Sequence, residues 1–161
     1  MDKITEHSPK RLIVVDAVDD LARGLFADRY EYWMVTTMHD PLEKLHELVQ
    51  PRWTTVLGEE STELINYGKT LANDVLVNVL LVAPVPSSHL AHAIPYLEDV
   101  EVMKRSLIGT MIDHKGHTMT CNTQSEKFPA FSTEHDIDYF GSGLVLRIQF
   151  AVVLRIHDEG K

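Results

Sequence analysis

The clearest pattern in the chain is a regular alternation of side chains from Leu144 to Ile156. Every even-numbered position in this stretch is apolar, whereas the odd-numbered positions combine Arg147, Gln149 and Arg155 with aliphatic residues. A repeat of two residues predicts a β-strand that turns one face toward a hydrophobic core. At roughly 3.3 Å per residue this strand would extend about 43 Å, whereas most strands are about 17–20 Å long. Such a strand needs a partner of similar length, or it projects beyond its own domain.

A second strand pattern lies at residues 71–83, where apolar residues occupy both alternating sets of positions. Apolar character on both faces predicts a central strand, and the length of this one makes it the natural partner of residues 144–156. Stretches rich in β-branched or aromatic residues predict three shorter strands, at residues 30–38, 53–57 and 134–140.

Apolar residues that recur every three or four positions predict a helix from Pro9 to Ala27, with Ser8 as its N-cap. Further helical segments are predicted at residues 40–48, 88–94 and 96–112. The last two are separated because Pro95 removes a backbone donor and clashes with the preceding turn. Taken in order, the elements predict an α+β fold with a mostly antiparallel mixed sheet, helices packed on one face and a long C-terminal strand.

The chain length of 161 residues is sufficient for one domain with an ordinary core. Residues 1–8 are polar and are expected to form a flexible N-terminus, and the single domain is expected to span residues 9–157. The acidic stretch at 58–68 has no clear pattern. An extended loop is expected at about 113–134, a polar stretch longer than a compact domain usually leaves without structure. This loop either contains a short strand at 117–121 or becomes ordered only in contact with a neighbouring molecule.

Composition narrows the possible partners. The chain has 15 Lys and Arg against 24 Asp and Glu, a net charge of −9, which argues against binding of a nucleic-acid backbone. Its single cysteine, Cys121, excludes an intramolecular disulfide and fits a reducing compartment. The N-terminus lacks the apolar core of a secretory signal, and the longest nearly apolar run is too short to span a bilayer. We therefore expect a soluble protein made inside the cell, with no membrane partner.

The closely spaced residues His114, His117 and Cys121 form the most suggestive candidate site. Zinc accepts His and Cys ligands, one loop can supply three of them, and Asp113 lies beside them. The lysine and glycine between the histidines suit an ordinary turn as well, and no second Cys or His pair stands at zinc-finger spacing. The pattern therefore favours an incidental cluster over a metal site.

Other chemical motifs are weaker. The carboxylates at 16–20 lie on the polar side of an amphipathic helix, and those at 59–63 lack the second acidic helix that a magnesium site needs. His89 and His92 are one turn apart at a helix start and are interpreted as incidental. Nucleophile-elbow, phosphate-loop and dinucleotide glycine patterns do not occur. We expect a protein that is not an enzyme and that holds no cofactor or metal.

The run from Val75 to Val100, V-L-V-N-V-L-L-V-A-P-V-P-S-S-H-L-A-H-A-I-P-Y-L-E-D-V, resembles a segment of the lambda-type tail terminators of long-tailed bacteriophages. In that family a strand, a proline-bounded turn and a helix follow one another. The predicted helix at 9–27 and the strand at 144–156 fall where the family has its N-terminal helix and its closing strand. The helical segment at 40–50 and the loop at 113–134 depart from the family.

The resemblance implies a structural virion protein that forms a ring, commonly a hexamer. The ring caps the tail tube, stops its polymerisation and joins the tail to the head connector. The implied partners are further copies of the chain, the tail tube protein and head–tail connector proteins. DNA passes through the lumen without sequence-specific recognition. The implied location is the tail or neck of the virion, assembled in the host cytoplasm.

Three alternatives stay open: another connector or neck subunit, a small metal-dependent enzyme that uses His114, His117 and Cys121, and a host-factor binding module. For the ring, the contact or lumen surfaces are expected in the 113–134 loop and on the polar face of the last strand. The arginines of that strand fit plain solvent exposure equally well. The candidate interface residues are Arg147, Gln149, Arg155, His114, His117, Phe128 and Phe131.

Overall fold

A computed structural model describes residues 3–37, 48, 50–65, 67–68, 70–87, 89–107, 110–121, 132–140 and 143–158. The helix predicted at 40–48 falls on residues outside these ranges, apart from Leu48. Residues 122–131 of the loop predicted at 113–134, which include Phe128 and Phe131, also lie outside the described residues. The rest of that stretch is not a loop but mostly paired strand, including the short strand expected at 117–121.

The described chain contains two α-helices, two short 3₁₀ helices and seven strands. The helices are α1 (Lys10–Phe26) and α2 (Ile94–Leu107), with 3₁₀ turns at Ala27–Arg29 and Leu90–His92. The strands are β1 (Glu31–Val35), β2 (Arg52–Ile65), β3 (Thr70–Val85), β4 (Met111–His114), β5 (His117–Cys121), β6 (Ser132–Phe140) and β7 (Gly143–Asp158). Neither described helix has the length and apolar character that crossing a membrane requires.

All seven strands belong to one mixed sheet, in which β1, β2, β3 and β7 are successive neighbours. The other edge of β7 pairs with β6 along its N-terminal part and with β5 near its C-terminal end, and β4 lies beyond β5. Only the pairing of β1 with β2 is parallel among the described strands. The predicted α+β class with a mostly antiparallel sheet is confirmed.

The centre of the sheet is the long antiparallel ladder between β3 and β7. Each strand has 16 residues, and they pair from Leu71 opposite Asp158 to Val85 opposite Leu144. At about 3.3 Å per residue the ladder is about 50 Å long. The expectation that the C-terminal strand has a partner of similar length is confirmed.

Helices α1 and α2 cover one face of this ladder and form the main core with it. Even-numbered residues of β7 from Leu146 to Ile156 are buried there, as the alternation predicts. An aromatic cluster packs α1, β2, α2 and β7 against one another; its members are Phe26, Tyr30, which directly precedes β1, Trp53, Tyr96 and Phe150. The Tyr30 hydroxyl donates to Asp99 Oδ2 across 2.5 Å, which joins the start of β1 to α2.

The opposite face of the sheet is buried at its centre as well. Leu80, Val82 and Val145 form a second cluster, and Leu48 packs against it. β3 therefore carries buried aliphatic residues on both faces, which confirms the central position that its apolar pattern predicts.

Strand β2 continues well beyond the predicted segment 53–57. A β-bulge between Leu57 and Glu60 shifts its register against β3, and the strand then continues to Ile65. Gly58 lies in the bulge, and its carbonyl accepts a hydrogen bond of 2.6 Å from Arg11 of α1. The ambiguous stretch at 58–68 is thus the outer half of a long β2–β3 hairpin.

Three local predictions are wrong. Pro95 does not divide a helix, because it lies in the first turn of α2, where its missing N–H has no acceptor to serve. The helix predicted to reach residue 112 ends at Leu107, and β4 begins at Met111. Ser8 is not the cap of α1: its Oγ accepts from the Thr5 N–H, and Pro9 occupies the capping position without a side-chain bond.

Candidate interaction site

The turn between β4 and β5 positions the two histidines that the sequence singles out. His114 pairs directly with His117, and the residues between them, Lys115 and Gly116, have φ angles of 49° and 78°. Two successive positive φ angles are typical of tight hairpin turns, and glycine adopts one of them without strain. The turn presents both histidines and Lys115 toward α1 and the N-terminal residues. This group is called the hairpin cluster below.

On α1, Asp16 receives two of these side chains. Its Oδ2 lies 2.6 Å from His114 Nε2 and 3.0 Å from Lys115 Nζ. Burial by itself raises the pKa of Asp16, but the hydrogen bonds and charges of His114 and Lys115 outweigh it and lower the pKa below its usual value. The Asp16 carboxylate is therefore charged at neutral pH and holds the hairpin on α1.

His117 and Lys115 bind the N-terminal residues. His117 Nδ1 lies 3.3 Å from Lys10 Nζ, and Nε2 lies 2.8 Å from the Glu6 carbonyl oxygen. Because an ammonium group only donates, Nδ1 is the acceptor and the Nε2–H donates to Glu6, as in a neutral imidazole. Lys115 Nζ donates to the Ile4 carbonyl oxygen. The residues predicted to be a flexible N-terminus thus contact the hairpin at two points.

The structure does not bring the three predicted metal ligands together. Cys121 is at the far end of β5 from His117, about 13 Å along the strand. Burial raises the pKa of the Cys121 thiol, which disfavours the thiolate that a metal would need. Among the described residues, no group of three His, Cys, Asp or Glu side chains is arranged to hold a metal ion. In the second histidine pair, His89 and His92, the Nδ1 atom of His89 accepts a hydrogen bond from the Ala91 N–H and caps a 3₁₀ turn.

The polar face of β7 is engaged within its own sheet. Arg155 makes a bidentate contact with Asp74 of β3, at 2.8 and 3.0 Å, and reaches Glu63 of β2 at 3.2 Å. The hydrogen bond to Asp74 is the main cause of the raised pKa of Arg155. Arg147 and Gln149 are half-buried on the same face, and the structure does not bring them into the hairpin cluster.

Two exposed features were not predicted from the sequence. The first is the end of the β2–β3 hairpin, where Leu64 is 63% exposed and Tyr67 is fully exposed. The acidic, glycine-bounded stretch at 58–68 has no clear pattern in the sequence, so a paired strand was not predicted there. The second is an apolar groove, which residues from five separate segments of the chain line together. No local pattern in the sequence could have indicated it.

We expect Asp16→Asn to lower the free energy of unfolding at pH 7 by about 1–2 kcal/mol, because charge-assisted hydrogen bonds from His114 and Lys115 are lost. Since the folded pKa is lowered, the stabilisation is present above the unfolded pKa and is lost as the pH falls through the folded value. The difference between wild type and variant should therefore shrink below about pH 4. Urea unfolding at pH 7 and pH 3 measures it.

Asp20→Asn is the matched control for Asp16→Asn. The Asp20 side chain is 72% exposed and its Oδ2 is 4.0 Å from His114 Nδ1, so its replacement should change stability by less than about 0.5 kcal/mol. Equal effects of the two variants would contradict the role assigned to Asp16.

The described residues thus present the hairpin cluster, the exposed end of the β2–β3 hairpin and the apolar groove on one molecule. The contacts of the hairpin cluster are ion pairs and hydrogen bonds that hold chain segments together. The other two features leave apolar surface open to a partner. No family model matches the chain, and no curated protein matches it either.

Proposed function

We propose that the chain is a subunit of a ring that caps the tail tube of a long-tailed bacteriophage, stops its polymerisation and joins the tail to the head connector. The observation that carries this proposal is that, among the described strands, the long sheet has strand edges without a partner on both of its sides. On one side, β1 pairs with β2 only as far as Val56, and no described strand follows along β2 to Ile65. On the other side, β6 pairs with β7 alone among the described strands.

Open strand edges carry unpaired backbone donors and acceptors that pair readily with another chain. Two edges of different sequence make head-to-tail contacts, and a series of such contacts closes into a ring when the rotation between copies permits. The edge of β2 carries Glu59, Glu60 and Glu63, and charges of this kind oppose unspecific edge pairing. In a closed ring, the strand edges that are open in a monomer pair with those of neighbouring copies.

The resemblance to tail terminators adds support from the order of elements. The run at 75–100 covers β3 from Val75 to Val85 and the first half of α2, from Ile94 to Val100. Helix α1 is the first described element of the chain and β7 is the last, which is the order that the resemblance implies. This order supports the tail terminator role in preference to the metal-dependent enzyme, whose three ligands lie apart.

Electron microscopy of the purified protein in negative stain tests the proposal. We expect closed rings with a central hole, of a mass by light scattering that is a small multiple of one chain. Added to polymerising tail tube protein, the rings should halt elongation and occupy one end of each tube. A strict monomer at high concentration that never binds tubes would refute the proposal. Rings that bind connector proteins but not tubes would identify a neck subunit instead.

A further inference from the structure

Residues 3–8, called the strap below, contain their own hydrogen bonds. The Thr5 N–H donates to Ser8 Oγ across 2.8 Å, and the Ser8 N–H donates to the Thr5 carbonyl oxygen across 3.0 Å. The His7 N–H donates to Thr5 Oγ1 across 3.2 Å. These contacts close a turn within the strap. Three of its backbone donors are therefore satisfied inside the strap rather than by the sheet or the helices.

The strap is held on the domain by side chains of the β4–β5 turn. Lys115 Nζ donates to the Ile4 carbonyl oxygen, and His117 Nε2 donates to the Glu6 carbonyl oxygen across 2.8 Å. Among the described residues, no backbone hydrogen bond joins the strap to a strand or a helix. The half-buried Ile4 side chain packs against the main core. So few contacts are typical of a segment with low local stability.

Helix α1 orients Lys115 for its contact with the strap. The Lys115 ammonium lies 3.0 Å from Asp16 Oδ2, and this carboxylate is charged at neutral pH. An ammonium group has three donors, so it can bind Asp16 and the Ile4 carbonyl oxygen at the same time. Lys115 therefore connects the strap to α1, and Asp16 keeps its side chain in the position from which it reaches Ile4.

The strap also forms one wall of the apolar groove. Lys3 and Ile4 line the groove from the strap, whereas Leu12 and Val15 line it from α1 and Leu57 lines it from β2. Movement of the strap away from the domain would remove Lys3 and Ile4 from this lining. The remaining residues would then bound a wider apolar surface.

We propose that the strap opens as a unit while the domain stays folded, and that Lys115 is the side chain that keeps it closed. The contacts that hold the strap can break without any change in the β3–β7 ladder or in the helices that cover it. The position of the strap then controls how much of the apolar groove is exposed. All of these contacts lie within one chain, so the inference does not depend on the proposed ring.

Methyl NMR of the full chain tests the proposal, because isoleucines report on both the strap and the core. Ile4 lies in the strap, whereas Ile13 of α1 is fully buried. Relaxation dispersion measures the population of an open state that forms within microseconds to milliseconds. Lys115→Met removes the ammonium donor but keeps a long side chain. It should raise the open population at Ile4 roughly tenfold, as expected for the loss of one hydrogen bond from a charged group, and should leave Ile13 in one state.

Asp16→Asn tests whether Asp16 acts on the strap through Lys115. This variant should also raise the open population at Ile4. Its combination with Lys115→Met should give no further increase, because the carboxylate then has no ammonium group to orient. Arg105→Met is the matched control: it removes a cation from the exposed last turn of α2 and should leave Ile4 as in wild type.

The other outcomes would overturn the inference or one of its parts. If no variant shows an open state at Ile4, or if Ile4 and Ile13 always exchange together, the strap does not open by itself. An open population that Lys115→Met leaves unchanged would show that Lys115 does not keep the strap closed. Additive effects of Asp16→Asn and Lys115→Met would show that Asp16 does not act through Lys115. A chain that never halts tail tubes would overturn the proposed function and leave this inference intact.

Discussion

Removal of residues 153–161 is expected to abolish cooperative folding and self-association together. Val153, Leu154 and Ile156 are fully buried, and burial of such side chains contributes about 1.5–3 kcal/mol each. The truncation also removes the part of β7 that pairs with β5 and with residues 71–76 of β3. These losses are of the same size as the whole stability of a typical domain, about 5–15 kcal/mol. Circular dichroism during urea unfolding and size-exclusion chromatography measure the two effects.

Deletion of residues 159–161 is the matched control, because it leaves β7 whole through Asp158. This shorter deletion should keep the unfolding midpoint and the assembly state of wild type. A chain truncated at Val152 that still unfolds cooperatively and forms rings would show that the C-terminal strand does not organise the fold.

Gly58→Ala is expected to destabilise the protein by about 3 kcal/mol, at the upper end of what an overpacked site costs. A Cβ atom at position 58 would lie 2.2 Å from the Leu76 carbonyl oxygen and 2.9 Å from its carbonyl carbon. These are backbone atoms of β3, so they cannot rotate away as a side chain would. The ladder must open at the bulge, where Arg11 also binds the Gly58 carbonyl. Thermal and urea unfolding measure the loss.

Gly24→Ala is the opposite case and serves as the control. Gly24 lies inside α1, and a Cβ there would meet no atom within 4 Å. Alanine in a helix interior is favoured over glycine by about 0.5–1 kcal/mol, so this variant should be more stable than wild type. Equal effects of the two substitutions would contradict the steric explanation for Gly58.

Local periodicity predicted the elements whose side chains have one dominant environment. The alternation at 144–156 gave β7 and its buried face, and the apolar run at 71–83 gave β3 as its central partner. The three-to-four-residue spacing after Pro9 gave α1. Each of these elements packs most of one face in the core. The spacing of its apolar residues therefore indicates which face is buried.

Periodicity failed where neighbouring strands or turn geometry decided the structure. The outer half of β2 is acidic and exposed, and it is a strand because β3 supplies its backbone partners. The pattern around Pro95 predicts a helix break, although a proline in the first turn of a helix costs nothing. The histidines near residue 115 were correctly placed beside a turn, but their partners Asp16, Lys10 and Glu6 are about a hundred residues away in the chain.

The sequence by itself therefore determined the fold class, the long C-terminal strand, its partner and the helix that covers them, because those features follow from side-chain patterns within one segment. Only the tertiary structure decided which surfaces are open. The apolar groove combines residues from the N-terminus, α1, β1, β2 and the β4–β5 turn. The end of the β2–β3 hairpin is exposed because β2 and β3 continue past the end of β1. Such surfaces arise from the distances between segments, and no pattern along the chain encodes those distances.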